Sequence, residues 1–204
     1  MYITEMVPLS GKRSKKVRIS IDGGTDIVLY KKEAARYGME VGAEIMDGVW
    51  EQLIQEVFIP RARARAMHLL EKQDRTRAGL KKKLREGGYP DEAIDKAISY
   101  VESYHYIDDA RHAASYVRYH QYGKSRRRIE MDLKAKGVSA ETIERAIETE
   151  FTASEEDMIR RTLEKRHYDH ETADVRERQR MYRFLVGRGF AYEDIDRVLR
   201  SYVA

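Results

Sequence analysis

The chain has 204 residues, 39 Lys and Arg against 35 Asp and Glu, a net charge of +4 and no cysteine. That excludes disulfides, thiolate metal ligands and cysteine nucleophiles, and it fits a cytoplasmic protein. No run of about eighteen apolar residues is present, so no membrane span is expected. The start, Met1-Tyr2-Ile3-Thr4-Glu5-Met6, has neither the basic nor the apolar part of a signal peptide.

Residues 2–9 and 17–30 read as strands. Val17, Ile19 and Ile21 alternate with Arg18 and Ser20, the period of a half-buried strand. A basic turn, Ser10 to Lys16, precedes them. Asp22-Gly23-Gly24 predicts a hairpin turn, because glycine supplies the positive φ that tight hairpins need. Ile27 to Tyr30 is the return strand. Lys31 to Tyr37 predicts a short helix stopped by Gly38, and Met39 to Ile45 a short extended or turn segment. Trp50, Leu53, Ile54, Val57 and Phe58 recur at helical spacing. Residues 1–58 therefore read as a small β-rich module with one helix, and Pro60 marks its boundary.

Beyond Arg61 the pattern is helical and repetitive. Leu84, Gly88, Glu92, Ile94, Ala97 and Ile98 recur as Leu133, Gly137, Glu141, Ile143, Ala146 and Ile147. They recur again, with conservative changes, as Leu185, Gly189, Glu193, Ile195, Val198 and Leu199. A self-similar unit of roughly fifty residues marks a repeat array. Three repeats follow, 59–106, 107–152 and 153–204, each of three helices. In each, the second helix ends at a glycine, where a helix C-terminus favours a left-handed residue. Thr76 and Ser125 stand as N-caps of the first two second helices, and Ser139 caps the third helix of repeat two. The fold class is mainly α, three tandem three-helix repeats forming an elongated curved rod behind a β-rich N-terminal module.

Charge is sorted along this pattern. The second helices are basic (Lys81, Lys82, Lys83 and Arg85, then Lys124, Arg126, Arg127, Arg128, Lys134 and Lys136), and the third helices are acidic. The sorting has two readings. One is intramolecular pairing on a solvated surface, worth up to about 1 kcal/mol per exposed pair. The other is a face for a polyanion or a charged protein groove. The triplets Lys81–Lys83 and Arg126–Arg128 occupy nearly matching repeat positions. Three consecutive residues span about 300° of a helix, so no more than two of each three face one partner. The third repeat keeps only Arg188 in the equivalent stretch, which points to protein contact or capping of the array.

Catalytic constellations are absent from the pattern. Asp108 and His112, and His167 and His170, have the spacing of metal ligands on a helix but no third ligand at motif spacing. No metal, no cofactor and no enzymatic activity are expected. The tyrosines from Tyr100 to Tyr122 suit inter-helix packing, with base stacking as the alternative.

The stretch Tyr106-Ile107-Asp108-Asp109-Ala110-Arg111-His112-Ala113-Ala114-Ser115-Tyr116-Val117 and the following Gly123-Lys124-Ser125-Arg126-Arg127-Arg128-Ile129 to Val138 resemble the central repeat of the RecX family, regulators of the bacterial recombinase RecA. His112 departs from the family pattern, which has an aromatic residue there. The resemblance implies a monomer that lodges in the groove of the RecA–DNA filament, bridges protomers and inhibits ATP hydrolysis and strand exchange. Its partners would be the RecA filament and single-stranded or RecA-bound DNA. The residues picked for contact, by charge and repeat position, are Lys81, Lys82, Arg85, Lys124, Arg126, Arg127, Lys134 and Lys136. A nucleic-acid-binding repeat protein acting without RecA is the rival reading.

Overall fold

The structure, a computed structural model, describes residues 1–10, 13–169 and 171–201. Gly11 and Lys12 of the basic turn, His170 of the histidine pair and Tyr202 lie outside the described residues. The chain divides into two units, Met1–Asp108 and Asp109–Ala204.

The first unit opens with β1 (Ile3–Pro8), β2 (Lys16–Ile21) and β3 (Thr25–Tyr30), an antiparallel sheet in the order β1-β2-β3. Alternation sends Val17, Ile19, Ile21, Ile27 and Leu29 into the core and leaves Lys16 and Arg18 outside. Gly23 and Gly24 turn the hairpin at φ of +83° and +82°. Helix α1 (Lys31–Arg36) follows, its first turn closed by the Glu33 carboxylate, which accepts from the Tyr30 N–H at 3.0 Å.

Pro60 does not end a helix, contrary to the sequence reading. Helix α2 (Asp47–Gln52) runs through a π-helical segment (Leu53–Phe58) into α3 (Ile59–Lys72). Proline lacks an N–H and its ring crowds the carbonyl four residues back. The π register relieves both problems just before it: the Ile59 N–H donates to the Ile54 carbonyl, five residues back. Ile59, Ala62, Ala66 and Leu69 then form the buried stripe.

Helices α4 (Arg77–Glu86) and α5 (Asp91–Ser103) complete the first repeat. The sheet and this repeat share one hydrophobic core, from Ile3 through Leu29, Phe58 and Leu84 to Ile107. The second unit holds α6 (Asp109–His120), α7 (Arg126–Ala135) and α8 (Ala140–Glu150), then α9 (Glu155–Lys165), α10 (Val175–Gly187) and α11 (Tyr192–Ser201). Each set of three closes its own core, around Ile129, Leu133 and Ile143 in one and Leu163, Leu185 and Ile195 in the other.

The ends of the second helices are built alike. The Thr76, Ser125 and Asp174 side chains accept from the N–H groups of Gly79, Arg128 and Glu177, at 3.0, 3.2 and 2.7 Å. At the other end Gly88, Gly137 and Gly189 take φ of +76°, +79° and +90°. The following residue then folds back: Tyr89, Val138 and Phe190 donate to the carbonyls of Leu84, Leu133 and Leu185. This is the hydrogen-bond pattern of a Schellman stop.

Two of these stops also make a joint. The Gly88 carbonyl accepts from the Val28 N–H at 3.1 Å, which pairs the exposed edge of β3. In the second unit, the fully buried Ser125 hydroxyl donates to the Arg188 carbonyl at 3.0 Å, against Gly189. The C-terminal end of α10 therefore meets the N-terminal end of α7, an alignment of dipoles that is favourable.

Candidate functional site

The basic second helices fall into two classes once their partners are seen. In α4, Lys81 pairs with Asp95 at 2.5 Å, and Arg85 holds Asp91 through Nη2 at 2.7 Å and Nε at 3.0 Å. Lys83 pairs with Glu86 at 2.7 Å and Arg77 with Glu102 at 2.7 Å. In α7, Arg126 reaches Glu130 at 3.7 Å and Arg128 reaches Asp132 at 3.1 Å. Lys136 lies 5.4 Å from the Tyr116 ring centroid.

Lys124 is the most constrained of the predicted set. Its ammonium donates to the Tyr116 hydroxyl at 2.7 Å and to Asp132 at 2.8 Å, while Tyr116 donates to the same carboxylate oxygen at 3.0 Å. Asp132 is 17% exposed at its side chain and also faces Arg128. Burial raises the Asp132 carboxyl, but the hydrogen bonds from Lys124 and Tyr116 outweigh it and the pKa falls below its usual 3.8. Burial lowers the Lys124 ammonium, but its bonds to Asp132 and Tyr116 hold it above the usual 10.5. This network braces the α6–α7 corner.

A carboxylate with a depressed folded pKa stabilises the fold above its unfolded pKa and loses that contribution as pH falls through the folded value. The second unit should therefore lose stability below about pH 4. Replacing Asp132→Asn should cost about 1–2 kcal/mol at neutral pH and flatten the acid limb. Urea midpoints measured from pH 7 to pH 3 test this. An acid limb of unchanged slope in the variant would remove Asp132 as its source.

Among the described residues, Lys82, Arg127 and Lys134 of the predicted set carry no ion pair, and all three are exposed. Arg127 and Lys134 are seven residues apart on α7, two turns along one stripe. The triplets do not match in position: Lys81 is the fifth residue of α4, whereas Arg126 is the first of α7. They stand about a turn apart, because the glycine stops, not the charge runs, set the register. Charge counting on second helices also misses the third repeat, whose cations Arg161, Lys165 and Arg166 lie on and just beyond α9.

Three family profiles match along the chain, described as the first, second and third three-helix domains of RecX, over residues 62–100, 108–147 and 154–199. The regulatory protein RecX of Vibrio campbellii is 33% identical over 135 residues, which is 66% of this chain and 86% of that protein. The chain belongs to the RecX family. The RecX of Caldanaerobacter subterraneus subsp. tengcongensis is 29% identical over 201 residues, 98% of both chains. A crystal structure of a regulatory protein RecX superposes with a TM-score of 0.63 at 22% identity, covering 97% of this chain and 98% of that one. RecX from Lactobacillus salivarius gives a TM-score of 0.62 at 24% identity over 71% of this chain and 96% of that one. The mainly helical fold of three RecX domains behind a small antiparallel sheet is thus shared, and the homologues' name supports a regulatory role. Among the described residues no helix is long and apolar enough to cross a membrane.

Proposed function

We propose that the chain regulates a RecA-type recombinase by binding its DNA filament and inhibiting ATP turnover and strand exchange, with no chemistry of its own. Recombination, DNA repair and the SOS response would be the processes affected, and the cytoplasm the setting. The observation that carries the reading is the partition of the basic helices. Most of their cations are held by carboxylates of the same chain, but Lys82, Arg127 and Lys134 are exposed without an ion pair among the described residues. Cations left in water keep their full charge for a phosphate or an acidic recombinase patch, and gain the counterion release that drives such binding.

The test is pelleting with recombinase filaments assembled on single-stranded DNA. The variant Lys82→Glu/Arg127→Glu/Lys134→Glu should bind about tenfold or more weakly at moderate salt, with the salt slope reduced by about 2 if all three meet phosphates of a single strand. Its helical content should be unchanged, since all three are exposed and none is in an ion pair among the described residues. Undiminished pelleting of the variant would remove this surface from the binding site. Equal affinity for bare DNA and for filament would favour a DNA-binding protein that acts without the recombinase.

A further inference from the structure

The second unit contains a cleft that the repeat pattern does not announce. It lies where the α6–α7 loop meets the first and second helices of the third repeat, and it has a volume of about 250 Å³. Arg161 and Lys165 enter it from α9, Arg166 from the residue that caps α9, and Arg188 from the residue that caps α10. Tyr122 and Phe184 supply aromatic walls. No carboxylate lines the cleft, and among the described residues none of the four cations is in an ion pair.

A bland origin accounts for part of this. Arg166 and Arg188 cover Phe184, with guanidinium carbons 3.6 and 4.8 Å from the ring centroid. Stacking of this kind shields a half-buried ring. It leaves Arg161 and Lys165 unexplained. They sit at i and i+4 on α9, a like-charge spacing that destabilises a helix by a few tenths of a kcal/mol. Two further cations converge on the same space, without one carboxylate to balance them. Elsewhere among the described residues most cations of the basic second helices carry acidic partners, as Lys81 does in Asp95 and Arg128 in Asp132.

The local backbone fixes the arrangement. Just past the Arg166 cap of α9, the non-glycine residue His167 takes φ of +51°, and the Tyr168 N–H folds back to the Leu163 carbonyl at 3.0 Å. That stop sets Arg166 over Phe184. Beside the cleft lies a second hollow of about 190 Å³, which shares Gly123, Arg188 and Phe190 with it and reaches Ser125 and Arg128 in the first turn of α7.

We propose that this cleft binds the phosphodiester backbone of a single nucleic-acid strand. Guanidinium groups match phosphate oxygens in pairs. A strand offers successive phosphates to two adjoining hollows, where a carboxylate side chain offers only one anion. Tyr122, 66% exposed at the rim, gives a base a face to stack on, a sequence-tolerant contact. The site assigns nucleic-acid contact to the third repeat, where the sequence pointed to protein contact or capping. It is independent of the recombinase reading, because it requires binding to a bare strand.

The experiment is fluorescence anisotropy of a short labelled oligothymidylate with the full chain and no recombinase. Arg161→Glu/Lys165→Glu should weaken binding by about tenfold or more and lower the salt slope by about 1.4, two phosphates at 0.7 each. Tyr122→Ala should weaken it about fivefold or more without changing the salt slope. The control Arg176→Glu/Arg183→Glu makes the same change in net charge on α10, outside the cleft, and should stay within about twofold. Unequal effects of the two pairs, in that order, support the site. Equal effects, or none from Arg161→Glu/Lys165→Glu, overturn it. Displacement of the strand by ATP at micromolar concentrations would make the cleft a nucleotide site and overturn the strand assignment. Far-UV circular dichroism of each variant should match the parent, and a strand affinity lost together with helicity would contradict the proposal's premise that these exposed side chains do not hold the fold.

Discussion

Replacing Gly88→Ala should destabilise the first unit by about 4 kcal/mol, although the change adds a single methyl group. Two causes add. Gly88 has φ of +76°, a conformation that costs an L-residue about 1 kcal/mol. The new Cβ would also lie 2.3 Å from Val28 Cγ2, 2.8 Å from Val28 Cβ and 3.1 Å from the Val28 nitrogen. Real Cβ atoms do not approach so closely, so β3 must move away from the α4 stop. Overpacking of this kind costs about 1–3 kcal/mol. The Val28 N–H to Gly88 carbonyl bond, 3.1 Å in the native joint, is then strained or lost, for about another 1 kcal/mol.

Gly38 supplies the comparison. It too has a positive φ, +66°, but a Cβ there would meet nothing within 4 Å. Gly38→Ala should cost only the conformational part, about 1 kcal/mol. Val28→Ala in the Gly88→Ala background should recover part of the loss, because the two sites couple through contact. Urea denaturation of the four proteins checks this. Equal losses at Gly38 and Gly88 would mean that the joint between sheet and repeat does not depend on that close approach.

These two glycines show what a sequence can and cannot say. The helix stops at Gly88, Gly137 and Gly189 were legible because a stop is local: a leucine stripe, a glycine, then an apolar residue that folds back. The caps at Thr76 and Ser125 were legible for the same reason, whereas Asp174 escaped because α10, at 13 residues against 10, starts about a turn earlier than the repeat predicts. The contact of Gly88 with Val28 is sixty residues long in sequence and leaves no mark in the pattern. Pro60 misled because the rule that proline ends helices assumes an α register. The π segment before it changes which carbonyl is crowded.

The candidate site divides in the same way. Charge sorting between second and third helices was plain, and it pointed to α4 and α7. Composition could not tell which cations were already held. Lys81 finds Asp95 across two helices, and Lys124 turns inward to Tyr116 and Asp132. Pairing accounts for most of the sorted charge, and Lys82, Arg127 and Lys134 are the residues left for the binding proposed above. The cleft in the third repeat was hidden because its cations come from the end of a first helix and the end of a second, far apart in sequence.

The largest functional effect should be on the recombinase itself. Under the proposed function, a chain that acts by binding alone alters ATP turnover only through its differential affinity for the conformations that the recombinase passes through. A tenfold preference for one of them corresponds to about 1.4 kcal/mol, enough to slow a cycle that must leave that state. With about five single-strand phosphate contacts at a slope near 0.7 each, doubling the salt should weaken the effect about tenfold. Regulation of the recombinase is read out by titrating the chain into recombinase on single-stranded DNA while ATP turnover is followed. Turnover should fall to a low plateau by stoichiometric amounts, with a midpoint that moves upward steeply with salt. Turnover that stays unchanged at stoichiometric amounts, at low salt, would contradict it.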